Sequence, residues 1–95
     1  MDVYPAVIRL GLNQSATRRI TIVNHTESDA TIGKPVTSCS CAVPKDLEGR
    51  TVSGFGGAEF DVALEAGDSL LQGYVAIPVE WNGRFSEIVV RVIRE

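Results

Sequence analysis

Apolar residues recur at every second position along most of this chain, while the three-to-four-residue spacing of an amphipathic helix is nearly absent. Thr17 to Val23 sets Ile20 and Ile22 on one face, with Arg19 and Thr21 on the other. Ala58 to Glu65 places Phe60, Val62 and Leu64 inside, with Glu59, Asp61 and Glu65 outside. Gly73 to Glu80 aligns Val75, Ile77 and Val79, and Phe85 to Arg94 aligns Ile88, Val90 and Val92. Between these last two runs sits Asn82-Gly83, the pair favoured in type I′ hairpin turns because both central residues need positive φ.

Three weaker strands complete the pattern. Tyr4 to Leu12 carries Val7, Ile8, Leu10 and Leu12, and Pro5 suits an edge. Ala30 to Ser38 forms a strand broken near Gly33-Lys34-Pro35, and Arg50 to Ser53 forms a short one. Asn24 to Asp29, the polar segment Lys45 to Gly49, and Ala66-Gly67-Asp68 are turn material, and Gly54-Phe55-Gly56-Gly57 reads as a flexible connector. The expectation is an all-β, immunoglobulin-like antiparallel β-sandwich of about seven strands. No amphipathic segment is available to cross between parallel strands, which excludes an α/β architecture. An antibody-type domain is excluded as well, because the two cysteines are neighbours and Trp81 lies near the final hairpin.

Composition narrows the choice further. Ninety-five residues make one domain, 1–95, with 44% apolar and 22% charged residues and a formal net charge of −3. The nine Lys and Arg are scattered, and Arg18-Arg19 point to opposite faces of a strand. No basic patch supports nucleic-acid binding or a flat membrane-binding surface. No run is long and apolar enough to insert in a bilayer, and Met1 to Pro5 shows no export leader. Two origins are open, a cytosolic protein or a domain excised from a larger exported protein, and the second is favoured because the chain starts and ends at strands.

Cys39-Ser40-Cys41 is the main candidate site. At i and i+2 of an extended strand two side chains share a face, with Cα atoms about 6.5–7 Å apart. That spacing is at the upper limit for a disulfide, so a bridge requires a turn and is comparatively reducible. Two free thiolates would suit Cu(I), whereas zinc wants two further ligands and the chain has one histidine, His25. The plainer reading, preferred here, is that the pair is structural, at least one thiol acting as a small core hydrophobe. Thiol–disulfide catalysis is disfavoured, since such enzymes use Cys-x-x-Cys at a helix N-terminus.

The remaining candidates have plainer explanations. His25 reads as an exposed turn histidine rather than a base or ligand. Gly54-Phe55-Gly56-Gly57 precedes a strand instead of opening a helix, so it is no phosphate loop. Glu59, Asp61 and Glu65 occupy a solvent face, which makes a glycosidase pair an unforced reading. Asn13-Gln14-Ser15 and Asn24-His25-Thr26 match the N-glycosylation sequon, which matters only in a eukaryotic secreted protein. No catalytic residue and no cofactor are assigned.

Ile20-Thr21-Ile22-Val23-Asn24-His25-Thr26, followed by Val36-Thr37-Ser38-Cys39-Ser40-Cys41, resembles the bacterial family called domain of unknown function 1573. The match runs from about Ser15 to Val79 and includes the Glu59–Leu64 and Gly73–Val79 strands. Ser40 stands where that family has glycine, and Ser53-Gly54 replaces its Pro-Gly turn. The resemblance implies a sandwich similar to pilus-chaperone (PapD) and sperm-protein (MSP) domains, in periplasmic, cell-envelope or extracellular bacterial proteins, and no known activity. The expected function is a non-catalytic interaction or structural module, binding protein through an edge strand or a sheet face. The alternative is a Cu(I)-handling domain using Cys39 and Cys41.

Overall fold

The computed structural model describes residues 1–11, 14–38, 42–64 and 72–94. Leu12, Asn13, the Cys39-Ser40-Cys41 pair, Glu65 and the Ala66-Gly67-Asp68 turn lie outside them.

Two sheets form the sandwich. The four-stranded sheet runs in the order β1 (Asp2–Tyr4), β3 (Ala16–Val23), β8 (Gly57–Leu64), β6 (Ala42–Pro44). The six-stranded sheet runs β2 (Val7–Leu10), β10 (Arg84–Arg94), β9 (Gln72–Trp81), β4 (Ala30–Ile32), β7 (Thr51–Val52), with β5 (Val36–Thr37) also on β9. No helix occurs among the described residues. The core lies between the sheets: Val3, Ile20, Ile22, Phe60, Val62 and Leu64 from one meet Ile8, Ile32, Val75, Ile77, Val79, Ile88, Val90 and Val92 from the other. Burying each large aliphatic side chain contributes about 1.5–3 kcal/mol, and the alternation read in the sequence is what aims them inward.

The structure divides the expected strands more finely. The opening run is two strands, since the chain leaves the four-stranded sheet after Tyr4, passes a cis Tyr4–Pro5 bond, and joins the other sheet as β2. β1 pairs antiparallel with β3, but β2 keeps its direction and lies parallel to β10, with Val7 opposite Arg91. One segment thereby closes the same side of both sheets.

The third expected strand is broken where Gly33-Lys34-Pro35 predicts. Ile32 faces Val79 and Val36 faces Ala76, so three residues oppose the two residues Ile77 and Pro78. This is a bulge. It explains a proline in the middle strand of the sheet. The N–H and C=O of a residue in an antiparallel strand point to the same neighbour. Pro78 accepts from the Gly33 N–H at 2.9 Å, so its missing donor falls on the bulged side, where the ladder is already interrupted. A Cβ at position 33 would stand 3.0 Å from Pro78 Cγ.

Three turns sharpen or correct the sequence reading. Asn82 and Gly83 have φ of 49° and 73°, as a type I′ turn requires. The Gly54–Gly56 connector is a hydrogen-bonded turn rather than a flexible one. Phe55 N–H donates to Thr26 O at 2.8 Å and Gly56 N–H to Ser53 O at 2.8 Å, and a Cβ on Gly54 would stand 2.3 Å from the Glu27 carbonyl oxygen. The Lys45–Gly49 segment is not wholly polar in role, since Leu47 is buried in the core.

Candidate functional site

Among the described residues, the outer face of the six-stranded sheet gathers most of the exposed large hydrophobic side chains. Register fixes its rows. Val7, Arg91, Tyr74 and Ser38 form one; Val89, Ala76 and Val36 the next; then Glu87, Pro78 and Gly33; then Phe85, Glu80 and Thr31. Val7, Val36 (57% exposed), Tyr74, Val89 and Phe85 (78%) all lie on this face, with Ala76 buried between Val36 and Val89. A groove of about 310 Å³ runs along it, lined by Ser38, Tyr74, Val89, Arg91 and Ile93. Ser38 closes its edge, because its N–H donates to Tyr74 O at 3.0 Å while its Oγ accepts from Tyr74 N–H at 2.9 Å. Charge is separated along the face. Glu80 and Glu87 stand toward the β9–β10 turn, Arg91 and Arg9 toward the other end, with Lys34 on the bulge at the edge.

The opposite outer face, on the four-stranded sheet, is charged instead. Arg19 Nη1 lies 3.4 Å from Glu59 Oε2, and its Nε lies 3.5 Å from Asp61 Oδ1. Two of the three carboxylates expected on the solvent face, Glu59 and Asp61, are therefore held by one guanidinium, and Glu65 lies outside the described residues. These groups are well exposed, so each pair is worth little after screening. A shallow groove of about 280 Å³ beside them is lined by Lys45, Asp46 and Arg50, whose guanidinium lies 5.4 Å from the centre of the Phe60 ring.

His25 is exposed as expected, and tertiary structure supplies the partner that local sequence does not. Its Nε2 lies 2.7 Å from Asp2 Oδ2, which ties the β3–β4 turn to β1. Asn24 corrects the reading of that turn as simply polar. It is wholly buried. Its Nδ2 donates to Ser28 O at 2.8 Å and Val52 O at 3.1 Å, while its Oδ1 accepts from Thr26 N–H at 2.9 Å and Thr26 Oγ1 at 2.7 Å. The side chain clasps the β3–β4 turn to β7, and a glycan has no room on it in the folded domain. Cys39 and Cys41 lie outside the described residues, but their flanks do not. The chain leaves the six-stranded sheet at Ser38 and joins the four-stranded sheet at Ala42.

Fold and surface together define an immunoglobulin-like β-sandwich of MSP type with one apolar and one charged outer face. Two nematode structures share the fold over almost the whole of both chains. WR4, an MSP family member from C. elegans, superposes with a TM-score of 0.83 at 14% identity, covering 99% of this chain and 96% of that one. SSP-19, an MSP-domain-like protein from Caenorhabditis elegans, gives 0.83 at 8% identity, covering 99% and 98%. VesB protease of Vibrio cholerae contains a similar unit, with a TM-score of 0.71 at 14% identity over 94% of this chain and 30% of that one. No protein-family model matches the chain, and no curated protein matches it.

Proposed function

We propose that this chain is a non-catalytic protein-interaction or structural module of a bacterial envelope protein, and that the outer face of the six-stranded sheet is its contact surface. The observation that carries the reading is the alignment of Val7, Val36, Tyr74, Val89 and Phe85 on that face. Single exposed hydrophobics are ordinary, whereas several gathered on one sheet face support an interaction site.

The edges offer less than the face. Strand augmentation needs a row of free backbone groups. β1 and β6 have three residues each, β2 four and β7 two, and Pro44 removes a donor from β6. β1 covers β3 only over Thr21–Val23, and the uncovered stretch carries Arg18 and Arg19, charges of the kind that blunt edges. The envelope location and membership of the Cys-x-Cys family rest on the Ser38-Cys39-Ser40-Cys41 resemblance. The module reading draws further support from the similar unit that makes up part of a larger Vibrio cholerae chain.

A photo-crosslinking side chain placed at Val89 and, separately, at Thr17 on the other outer face tests the reading in cells. Protein adducts from position 89 and none from position 17 are expected. Equal yields from the two, or adducts from position 17 alone, would overturn it.

A further inference from the structure

We infer that the occupant of this face is a second copy of the same chain. The inference rests on the contact surface proposed above and adds its partner and geometry. The two-fold axis lies in the interface, across the strands, at the height of Val89. Rotation about it inverts the height of every row and leaves β10 over β10 and β9 over β9.

The pattern of side chains is self-complementary under this operation. Val89, Ala76 and Val36 share the row on the axis, so each meets its own copy. Glu87 and Arg91 stand two residues to either side of Val89, so Glu87 faces Arg91 of the second copy and Arg91 faces its Glu87. Within one chain these two groups are about 13 Å apart along β10, too far to pair. Tyr74 shares a row with Arg91, and Pro78 shares one with Glu87. The Tyr74 ring is therefore carried over Pro78 of the second copy, where Gly33 leaves space beside it. Phe85 and Ile93 stand four residues to either side of Val89 and meet in the same way. A residue that meets its counterpart reciprocally is the mark of an isologous contact.

Area is sufficient for a reversible dimer. Eleven residues of β10, ten of β9, eight from Ala30 to Thr37 and four of β2, at ~3.3 Å along and ~4.8 Å between strands, give a face of roughly 500 Å² in projection. Stable specific pairs bury about 800 Å² per partner, so this face places the pair in the weak, reversible class.

The experiment is sedimentation velocity on the whole chain under reductant, so that Cys39 and Cys41 form no bridge between copies. Wild type is expected to dimerise with increasing concentration. Glu87→Arg sets two arginines against each other at both ends of the dimer, and Arg91→Glu does the same with carboxylates. Each single variant is expected to weaken dimerisation about tenfold or more, from two like-charge contacts. Mixing the two single variants makes every facing pair opposite in sign, so a heterodimer of wild-type strength forms, and Glu87→Arg/Arg91→Glu forms a homodimer of the same strength. Both positions are exposed, and unchanged melting temperatures confirm folding. A wild-type monomer at millimolar concentration, or a mixture no more associated than its components, overturns the inference. Adducts at position 89 to another protein, with wild type monomeric, would leave the contact surface standing and remove only the second copy.

Discussion

Asn24→Ala isolates the buried clasp of the β3–β4 turn. The substitution removes two donated and two accepted hydrogen bonds at a site with no solvent access. Thr26 Oγ1 also reaches Ser28 O at 2.9 Å, so the Ser28 carbonyl keeps a partner and the turn retains part of its structure. The Val52 carbonyl keeps the Ala30 N–H of the β4–β7 ladder, so the Thr26 N–H is the group left without a substitute among the bonds described. A buried polar group left unpaired costs about 1–3 kcal/mol, so the expected loss is about 2 kcal/mol. A domain of this size has a total stability of about 5–14 kcal/mol, so a sizeable fraction of it is at stake. Urea unfolding followed by the fluorescence of Trp81, the single tryptophan, reads the change directly. With a slope of about 1–1.5 kcal/mol per molar urea, the midpoint is expected to fall by about 1.3–2 M. Asn24→Asp should be at least as damaging at neutral pH, since a carboxylate would face two carbonyl oxygens. A midpoint shift of only a few tenths molar for Asn24→Ala would refute the clasp.

Other substitutions separate packing from surface. Leu47→Ala removes the buried plug between β6 and β7 and is expected to cost about 2–4 kcal/mol in the same assay, whereas an exposed loop leucine would give almost nothing. Phe55 is 75% exposed and has φ of 56°, a region where a bulky side chain is strained by about 1–2 kcal/mol. Phe55→Gly is therefore expected to raise the melting temperature by a few degrees; a fall would mean that the ring makes stabilising contacts. Arg19→Ala breaks both exposed ion pairs and should change stability by less than about 1 kcal/mol, and a larger loss in calorimetry would show that the charged face is structural.

The strands and the final hairpin are legible in the sequence because alternation and the Asn82-Gly83 turn are local signals. The sheet switch at Pro5 leaves one too. Val3 faces inward at an odd position and Ile8 and Leu10 at even ones, so the apolar phase flips between them. Leu47 carries no such signal, being a single apolar residue in a polar run, and only the tertiary fold encloses it. Asn24 is hidden for a related reason, since a polar residue beside a turn normally faces water and its partner Val52 lies far along the chain. The apolar outer face is half visible. Ile88-Val89-Val90 is continuously apolar, as in a strand covered on both sides. That Val7, Val36, Tyr74 and Val89 lie side by side follows only from register, because they come from four separate strands. The Cys39-Ser40-Cys41 segment remains a proposed family marker, and a thiol count by mass spectrometry with and without reductant distinguishes bridged from free.

On our proposal the outer face of the six-stranded sheet is where this domain meets protein. Amide chemical shifts of the isotopically labelled chain, followed from dilute to concentrated solution and then with its partner, map that contact residue by residue. Shifts concentrated at Val7, Val36, Tyr74, Val89 and Arg91, with Thr17, Thr21 and Glu59 unmoved, are the predicted result. Shifts centred on β3 and β8, or along the short edges, would contradict it.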